Sequence, residues 1–376
     1  MTSTTNFSIG WGLTNLCNMS CDFCYSKPVR RVADHIDFDK EMTLKEWIDF
    51  VDNNHKFIVS INYGTGENTL ISDWYELIKY IRGNYPTIEQ ALTTNGTLYD
   101  QISRNKEFHK IVVESIDEID VSLDFYDPNR HNKFRGNTNA YDWTLKTLDF
   151  CNEYNIEPTI VFLGAKEILE IENLEGLFGI AKKYNSKLRT NIYRPTGGIN
   201  EFSKRFIVDY KQIINVLLWI NKHHKIVSLQ DTLLHSVLCA DLEETDEKEN
   251  SPTSLRILPN GYITPSTYLI SKKYQIMNIT QGKIHDHIHE SSIFKEVNTG
   301  CVPKYCKSIN CQFLKICRGG VVDRRYLWYG TLEERDYYCP YRKEGDLIPE
   351  TKIHITKESS FSSIHEDYLP TMFFQW

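Results

Sequence analysis

Nowhere in its 376 residues does this sequence hold an apolar run near the roughly 20 residues that span a bilayer. The opening stretch MTSTTNFSIGWGLT lacks the basic region and apolar core of a secretion signal. These two absences predict a cytoplasmic protein with no membrane partner. Lysine and arginine never gather into a block, and 43 basic against 50 acidic residues leave a formal charge of −7. A sequence-independent nucleic-acid binder needs a basic face, so no nucleic-acid partner is expected. Internal repeats and low-complexity segments are also missing. What remains is an ordinary globule, long enough for two domains or for one large barrel with an addition.

Cysteine, by contrast, is abundant: ten residues, at positions 17, 21, 24, 151, 239, 301, 306, 311, 317 and 339. Without a secretion signal, that number points to metal or redox chemistry in a reducing compartment. Eight of the ten fall in two groups near opposite ends of the chain. The first group reads Cys17-Asn-Met-Ser-Cys21-Asp-Phe-Cys24, spaced C-x3-C-x2-C and followed directly by Tyr25. Disulfides do not suit it, since an odd thiol must remain. Three thiolates on one short loop can converge on a soft metal centre, either an Fe–S cluster or a zinc ion. On a four-iron cluster, three ligands leave one iron open to a small molecule.

Strand-like runs at 7–14, 56–67, 88–96, 118–124, 157–164 and 187–198 alternate with helical patterns at 43–54, 72–85, 141–155, 173–185 and 210–224. Thr43 and Ser72 are the expected N-caps of the first two helices. The alternation predicts an α/β fold of parallel β/α units, a partial (β/α)6 barrel of TIM type over residues 1–225. Chemistry in such a barrel gathers at the C-terminal ends of the strands. Cys151 falls within a helix and reads as an inert buried thiol. The alternation stops near 225. Residues 241–252 (DLEETDEKENSP) read as a solvated acidic loop, LRILPNGYITPS (255–266) as a hairpin, and the second cysteine group completes a domain over 226–345. The tail, 346–376, ends in YLPTMFFQW, whose aromatics are expected to pack on the body.

C-x3-C-x2-C after a first strand, in a chain of six β/α units, resembles the radical S-adenosylmethionine (SAM) superfamily. Further segments match in order. Gly64-Thr65-Gly66-Glu67 follows the second strand and is similar to the family's GGE motif, with Thr65 in place of the second glycine. There the backbone and Glu67 would hold the amino group of SAM, because an ammonium wants a carboxylate and carbonyls while glycines allow close approach. Thr93-Thr94-Asn95-Gly96 ends the third strand as similar segments do. Ser122 and Asp124, followed by His131 and Arg135-Gly136, resemble the fourth-strand segment that reads SxD and then H…RG. Arg194, with Gly197-Gly198, ends the sixth strand where the family contacts SAM or substrate. The resemblance thus places Gly64, Thr65, Gly66, Glu67, Thr94, Asn95, Ser122, Asp124, Arg135 and Arg194 at SAM. It implies a [4Fe-4S] cluster on Cys17, Cys21 and Cys24, fed by an external reductant such as flavodoxin or ferredoxin. Reductive cleavage of SAM there would give methionine and a 5′-deoxyadenosyl radical that abstracts hydrogen from an unactivated C–H. The protein would place the target hydrogen and exclude water and stray donors.

The second group, Cys301-x4-Cys306-x4-Cys311-x5-Cys317-Arg-Gly-Gly-Val321 and then Cys339, resembles the C-terminal SPASM extension, which carries up to two auxiliary Fe–S clusters. The family's run is roughly C-x2-C-x5-C-x3-C followed by a later cysteine. Val321 stands at its fourth position, and Ser266 stands where the turn beginning at Gly261 should end in cysteine. Both missing thiols belong, in relatives, to the auxiliary cluster nearer the substrate. The resemblance therefore implies one auxiliary [4Fe-4S] cluster, held by Cys306, Cys311, Cys317 and Cys339. Cys301 replacing Cys306, and a structural zinc in place of the cluster, stay open. Cys239 lies where the lost cluster's first ligand would be, and it is vestigial, buried, or a hydrogen-atom donor beside the substrate. SPASM relatives most often modify ribosomally made precursor peptides by crosslinking, epimerisation or backbone excision. Many carry a leader-binding domain before the first cluster. Here sixteen residues precede Cys17, so a separate leader-binding protein or the tail is expected to recognise the leader. A sugar- or aminoglycoside-type dehydrogenase or epimerase is the alternative. An Fe–S electron-transfer or binding protein is a third reading, one that leaves Gly64–Glu67 without a job.

Overall fold

A computed structural model describes residues 6–26, 40–239, 253–299, 302–342, 348–356, 363–366 and 370–376. The acidic stretch at 241–252 and Cys301 lie outside these. Six strands follow one another in parallel: β1 (Phe7–Trp11), β2 (Ile58–Tyr63), β3 (Glu89–Thr94), β4 (Glu118–Ser122), β5 (Glu157–Gly164) and β6 (Lys187–Ile192). Every residue of β1 and of β4 is buried, as expected where helices cover both faces of a parallel sheet.

The intervening helices are amphipathic. Helix Leu44–Asn54 buries Trp47, Phe50 and Val51, and Thr43 caps it as the sequence predicts. The Thr43 hydroxyl accepts from Glu46 N, while the Glu46 carboxylate accepts from Thr43 N at 2.8 Å. Such a capping box is worth about 0.5–2 kcal/mol. Ser72 is not a cap. A short 3-10 turn, Asn68–Leu70, delivers Ile71 in an extended conformation, so Ser72 is already the first helical residue. Its hydroxyl faces Asp73 instead.

The sheet does not end with β6. β7 (Lys225–Leu229) adds a strand just where the sequence alternation stops, and β11 (Met372–Gln375) slots antiparallel between β6 and β7. The terminal aromatics thus pack on the body as strand residues, with Phe373 and Phe374 buried. Four residues after a proline are too short a run for periodicity to show. On the other edge, β8 (Thr253–Ile257) and β9 (Tyr262–Thr264) form the expected hairpin, extended by β10 (Met277–Asn278). β8 also runs parallel to β1. The full order is β10-β9-β8-β1-β2-β3-β4-β5-β6-β11-β7. Segments from beyond residue 250 therefore flank the barrel strands on both sides. One apolar cluster joins Phe125 and Phe162 of the barrel to Cys239, Phe313, Cys317 and Tyr338.

The tail also closes the barrel from below. Ser363 and the Ile364 amide bond the Glu118 carboxylate at 2.7 and 3.1 Å, and His365 Nδ1 lies 3.2 Å from Asp120 Oδ2. Arg189 pairs with the same Asp120 oxygen at 2.5 Å. Glu118, Asp120 and His365 come close enough to share a cation. With the Arg189 guanidinium already on Asp120, however, the group reads as an ion-pair network. Among the described residues, no helix is long and apolar enough to cross a membrane.

Candidate active site

The loop leaving β1 carries the first cysteines, and its backbone is clamped from two sides. The Thr14 hydroxyl bonds the Glu41 carboxylate at 2.9 Å and accepts from Leu16 N at 3.0 Å. From below, Glu67 N donates to Leu16 O at 2.7 Å. The turn beneath has to be glycine. Gly66 has φ +63°, and a Cβ there would sit 2.5 Å from both Leu16 O and Thr14 O. Gly66→Ala is expected to cost at least about 1 kcal/mol of stability through left-handed strain alone. The clash also displaces the cysteine loop. Iron content after anaerobic reconstitution should fall, and a variant keeping full iron and stability would show that the clamp is slack.

Cys17, Cys21 and Cys24 all line one cavity of about 260 Å³ at the C-terminal ends of the strands. Cys17 Sγ accepts from Asn95 Nδ2 at 3.6 Å, Cys21 Sγ reaches Arg135 O at 3.6 Å, and Cys24 Sγ meets Ser26 Oγ at 3.2 Å. Burial pushes the Cys21 thiol up to about 11; the Arg135 charge opposes this, while the other two thiols add to it. Three thiols converging on one cavity suit a cation that would take them all as thiolates. The donor set fits a three-cysteine cluster.

Of the residues the sequence places at SAM, Gly64, Thr65, Gly66, Thr94, Asn95, Ser122, Arg135 and Arg194 line this cavity. Glu67 and Asp124 are not among the lining residues, and both have other work. The Glu67 carboxylate, 1% exposed, accepts from Thr69 Oγ1 at 2.7 Å, Thr94 Oγ1 at 2.9 Å and Asn95 N at 2.8 Å. It ties the glycine turn to the end of β3 and is not placed to take an ammonium from the cavity. Asp124 grips Arg135 through Nε at 2.7 Å and Nη2 at 2.6 Å, and its other oxygen accepts from Leu163 N. Asp124 therefore orients Arg135, which faces the thiols. His131 accepts from Asp124 N at 3.2 Å and is fully buried. Burial, with Arg135 nearby, holds its pKa well below the usual range, so it is a neutral brace.

Arg194 is held by Asp323 at 3.0 Å and by Ile192 O, with its guanidinium 5.3 Å from the centre of the Tyr268 ring. Cys239, for which the sequence leaves a vestigial, a buried or a hydrogen-donor role open, takes the buried place. It is buried in the apolar cluster with Leu233, Leu238, Phe313 and Ile353, and is not among the residues lining the cavity. Sequence reasoning missed Tyr25, Arg189, Arg256, Tyr268 and His365, which do line it. Tyr25 could have been found beside the third cysteine. The others come from a mid-strand position and from late segments without any motif.

Cys306, Cys311, Cys317 and Cys339 line a second, small cleft with Arg335, Phe313 and Tyr341. Burial raises the thiols of Cys306, Cys317 and Cys339, the last to about 11. Arg318, Gly319 and Gly320 all have positive φ, which folds the chain back so that Asp336 N reaches Gly319 O at 2.9 Å. Four thiols in one closed apolar cleft fit a fully cysteine-ligated metal centre. Ser266 and Val321, where the resemblance expects two more cysteines, are engaged in a polar network instead. Ser266 Oγ bonds Asp323 at 3.3 Å, and Val321 N donates to Asp336 at 2.9 Å. Arg324 sits between Asp231 and Asp336, each at 2.7 Å, and all three are buried.

Comparison with known proteins gives this geometry a context. The Radical SAM superfamily profile matches residues 11–172. The chain is 29% identical over 175 residues to Fe-coproporphyrin III synthase of Methanosarcina barkeri, a match taking in 46% of this chain but only 40% of that protein. It is 22% identical over 336 residues to mycofactocin maturase MftC of Mycolicibacterium smegmatis, covering 88% of this chain and 81% of that one. SuiB of Streptococcus suis, solved bound to SAM, is similar at a TM-score of 0.66 and 18% identity over 89% of this chain and 77% of its own. Its complex with the precursor peptide SuiA is similar at 0.65 and 17%, over 89% and 76%. At such identities the structural likeness speaks for the fold, and it extends well past the profile match.

Proposed function

We propose, for a chain that belongs to the radical SAM superfamily and is a radical SAM [4Fe-4S] enzyme, that it modifies a ribosomally made precursor peptide. The observation that carries this reading is the convergence of Cys17, Cys21 and Cys24 with the glycine turn, Asn95, Ser122 and Arg135 on one cavity. A cluster bound there supplies the electron that cleaves SAM to methionine and the hydrogen-abstracting 5′-deoxyadenosyl radical. The chain's own part is to clamp the loop through Thr14 and Gly66 and to orient Arg135 through Asp124. Its walls, Phe162, Leu163, Ile192 and Tyr193, keep water from the target hydrogen. Similarity to a maturase over most of the chain, and a shared fold with a protein solved with its precursor peptide, support the peptide as substrate. An external flavodoxin- or ferredoxin-type reductant would supply the electron.

The second cleft supports one auxiliary [4Fe-4S] cluster on Cys306, Cys311, Cys317 and Cys339. Anaerobically reconstituted enzyme should then hold about eight iron per chain, from two four-iron clusters. Cys306→Ala should bring this to about four. Unaltered iron in that variant would remove Cys306 from the ligand set and favour Cys301. For the substrate, the holoenzyme with SAM and dithionite should release 5′-deoxyadenosine and change the mass of a co-encoded short peptide. Deoxyadenosine without any peptide change would turn the reading toward a small-molecule substrate, which the likeness to Fe-coproporphyrin III synthase supports.

A further inference from the structure

Four arginines, Arg135, Arg189, Arg194 and Arg256, line the main cavity, and no aspartate or glutamate is among its described lining residues. Three of the four have a carboxylate behind them: Asp124 for Arg135, Asp120 for Arg189 and Asp323 for Arg194. Arg256 has none among the described residues. It is 3% exposed, and its Nη2 donates to Gly64 O and, at 3.1 Å, to the Tyr25 hydroxyl. A guanidinium taken out of water without a counter-ion is costly, and a carboxylate arriving in the cavity would relieve that cost.

The surroundings of Arg256 are built for such a guest. Its Nε is buried and has no hydrogen-bond partner, and the same holds for Nη2 of Arg194, itself 2% exposed. The two guanidiniums are linked through a pair of tyrosines. Tyr25 bonds Arg256, the Tyr25 and Tyr268 rings meet edge to face at 5.8 Å, and Tyr268 carries Arg194 on its face. Thr196 Oγ1 pins Tyr25 by its carbonyl at 2.7 Å.

We propose that Arg256, with Tyr25 and the free N–H of Arg194, forms a carboxylate-recognition site in the main cavity. The carboxylate is that of an acidic side chain or terminus of the substrate, and use of the site by SAM's own carboxylate is the outcome that would overturn it. The site deepens the radical SAM reading only in naming what else the cavity holds, since carboxylate binding can be read without turnover. The experiment uses anaerobically reconstituted holoenzyme, wild type and Arg256→Gln, with four probes: SAM, decarboxylated SAM, N-acetylglutamate and its isostere N-acetylglutamine. Release of 5′-deoxyadenosine by the same wild-type preparation is followed in parallel.

If the substrate supplies the carboxylate, SAM-saturated wild type binds N-acetylglutamate about tenfold or more tightly than N-acetylglutamine, and Arg256→Gln erases the preference. If instead Arg256→Gln weakens SAM about tenfold or more and leaves decarboxylated SAM as it was, Arg256 serves the carboxylate of SAM and the substrate site is overturned. Arg256→Lys keeps the charge but not the fork, and should retain part of whichever preference exists, which guards against a variant that merely misfolds. Wild type blind to the difference between the two acetylated amino acids, together with variants that bind SAM like wild type, would overturn the site. If that preparation still cleaves SAM, the radical SAM reading stands and the carboxylate site alone fails.

Discussion

Alanine at any one of Cys17, Cys21 or Cys24 is expected to reduce SAM cleavage to background. Two thiolates cannot hold a four-iron cluster in the arrangement that leaves one iron open, and the Asn95 and Arg135 side chains beside Cys17 and Cys21 offer no substitute ligand. Asn95 reaches Cys17 through an amide N–H, and Arg135 lies against Cys21. Neither group can replace a thiolate. Cys151→Ala is the fitting control, because that thiol is buried within helix Ala140–Tyr154, away from the cavity. It should lose stability by packing alone and keep its iron. Deoxyadenosine release under dithionite, with iron content, reads both effects. Cleavage persisting in a Cys21→Ala protein would mean that the loop is not the site of electron transfer to SAM.

Arg324→Ala is expected to be the most destabilising single change in the C-terminal half, at about 3–5 kcal/mol. The guanidinium lies between two carboxylates that are themselves buried, at 2.7 Å from Asp231 and 2.7 Å from Asp336. Removing it takes away the guanidinium that two buried carboxylates share. Asp336 also accepts from Val321 N and Tyr338 N, so the backbone on both sides of Cys317 and Cys339 depends on its staying put. The pH dependence has a definite sign. Burial pushes the Asp231 carboxyl up, but the charge and hydrogen bonds of Arg324 outweigh it, and its pKa lies below the ordinary value. In wild type this contribution is fully present above the unfolded aspartate pKa of about 4 and is lost as pH falls through the lower folded value. In Arg324→Ala the main influence opposing burial is gone, so the Asp231 carboxyl binds its proton more tightly than in wild type. The stability gap between the two proteins should be widest near neutrality and narrow as pH falls toward 5. Anaerobic denaturation at several pH values measures it, and a gap that widens toward acid would refute the charge assignment.

These two expectations differ in how far the sequence alone reaches. Cys17, Cys21 and Cys24 were legible because a tight spacing of one residue type is a local signal, and so was the glycine turn at 64–67. The barrel strands were legible because burial on both faces leaves near-continuous apolar runs between amphipathic helices. Asp231, Arg324 and Asp336 were not. Each is an unremarkable polar residue in its own segment, and only folding brings the three together. The same holds for His365 and Asp120, which meet at the base of the barrel.

Glu67 shows the other kind of limit. Its place in a motif was visible, but not that Thr69, Thr94 and Asn95 would take up its carboxylate, because hydrogen-bond partners are settled by neighbours in space. Cys239 likewise was placed near a cluster by order along the chain, and the fold puts it in an apolar core. By itself, then, the sequence determined the parallel β/α body and the two groups of thiols, which line two separate cavities. Tertiary structure alone decided that β11 and β8 flank the barrel strands, which buried arginines have carboxylates, and that Arg256 has none among the described residues. The physical reason is range: ligand spacing and amphipathic periodicity are written within a few residues, whereas charge balance in a buried cavity is a sum over segments far apart in the chain.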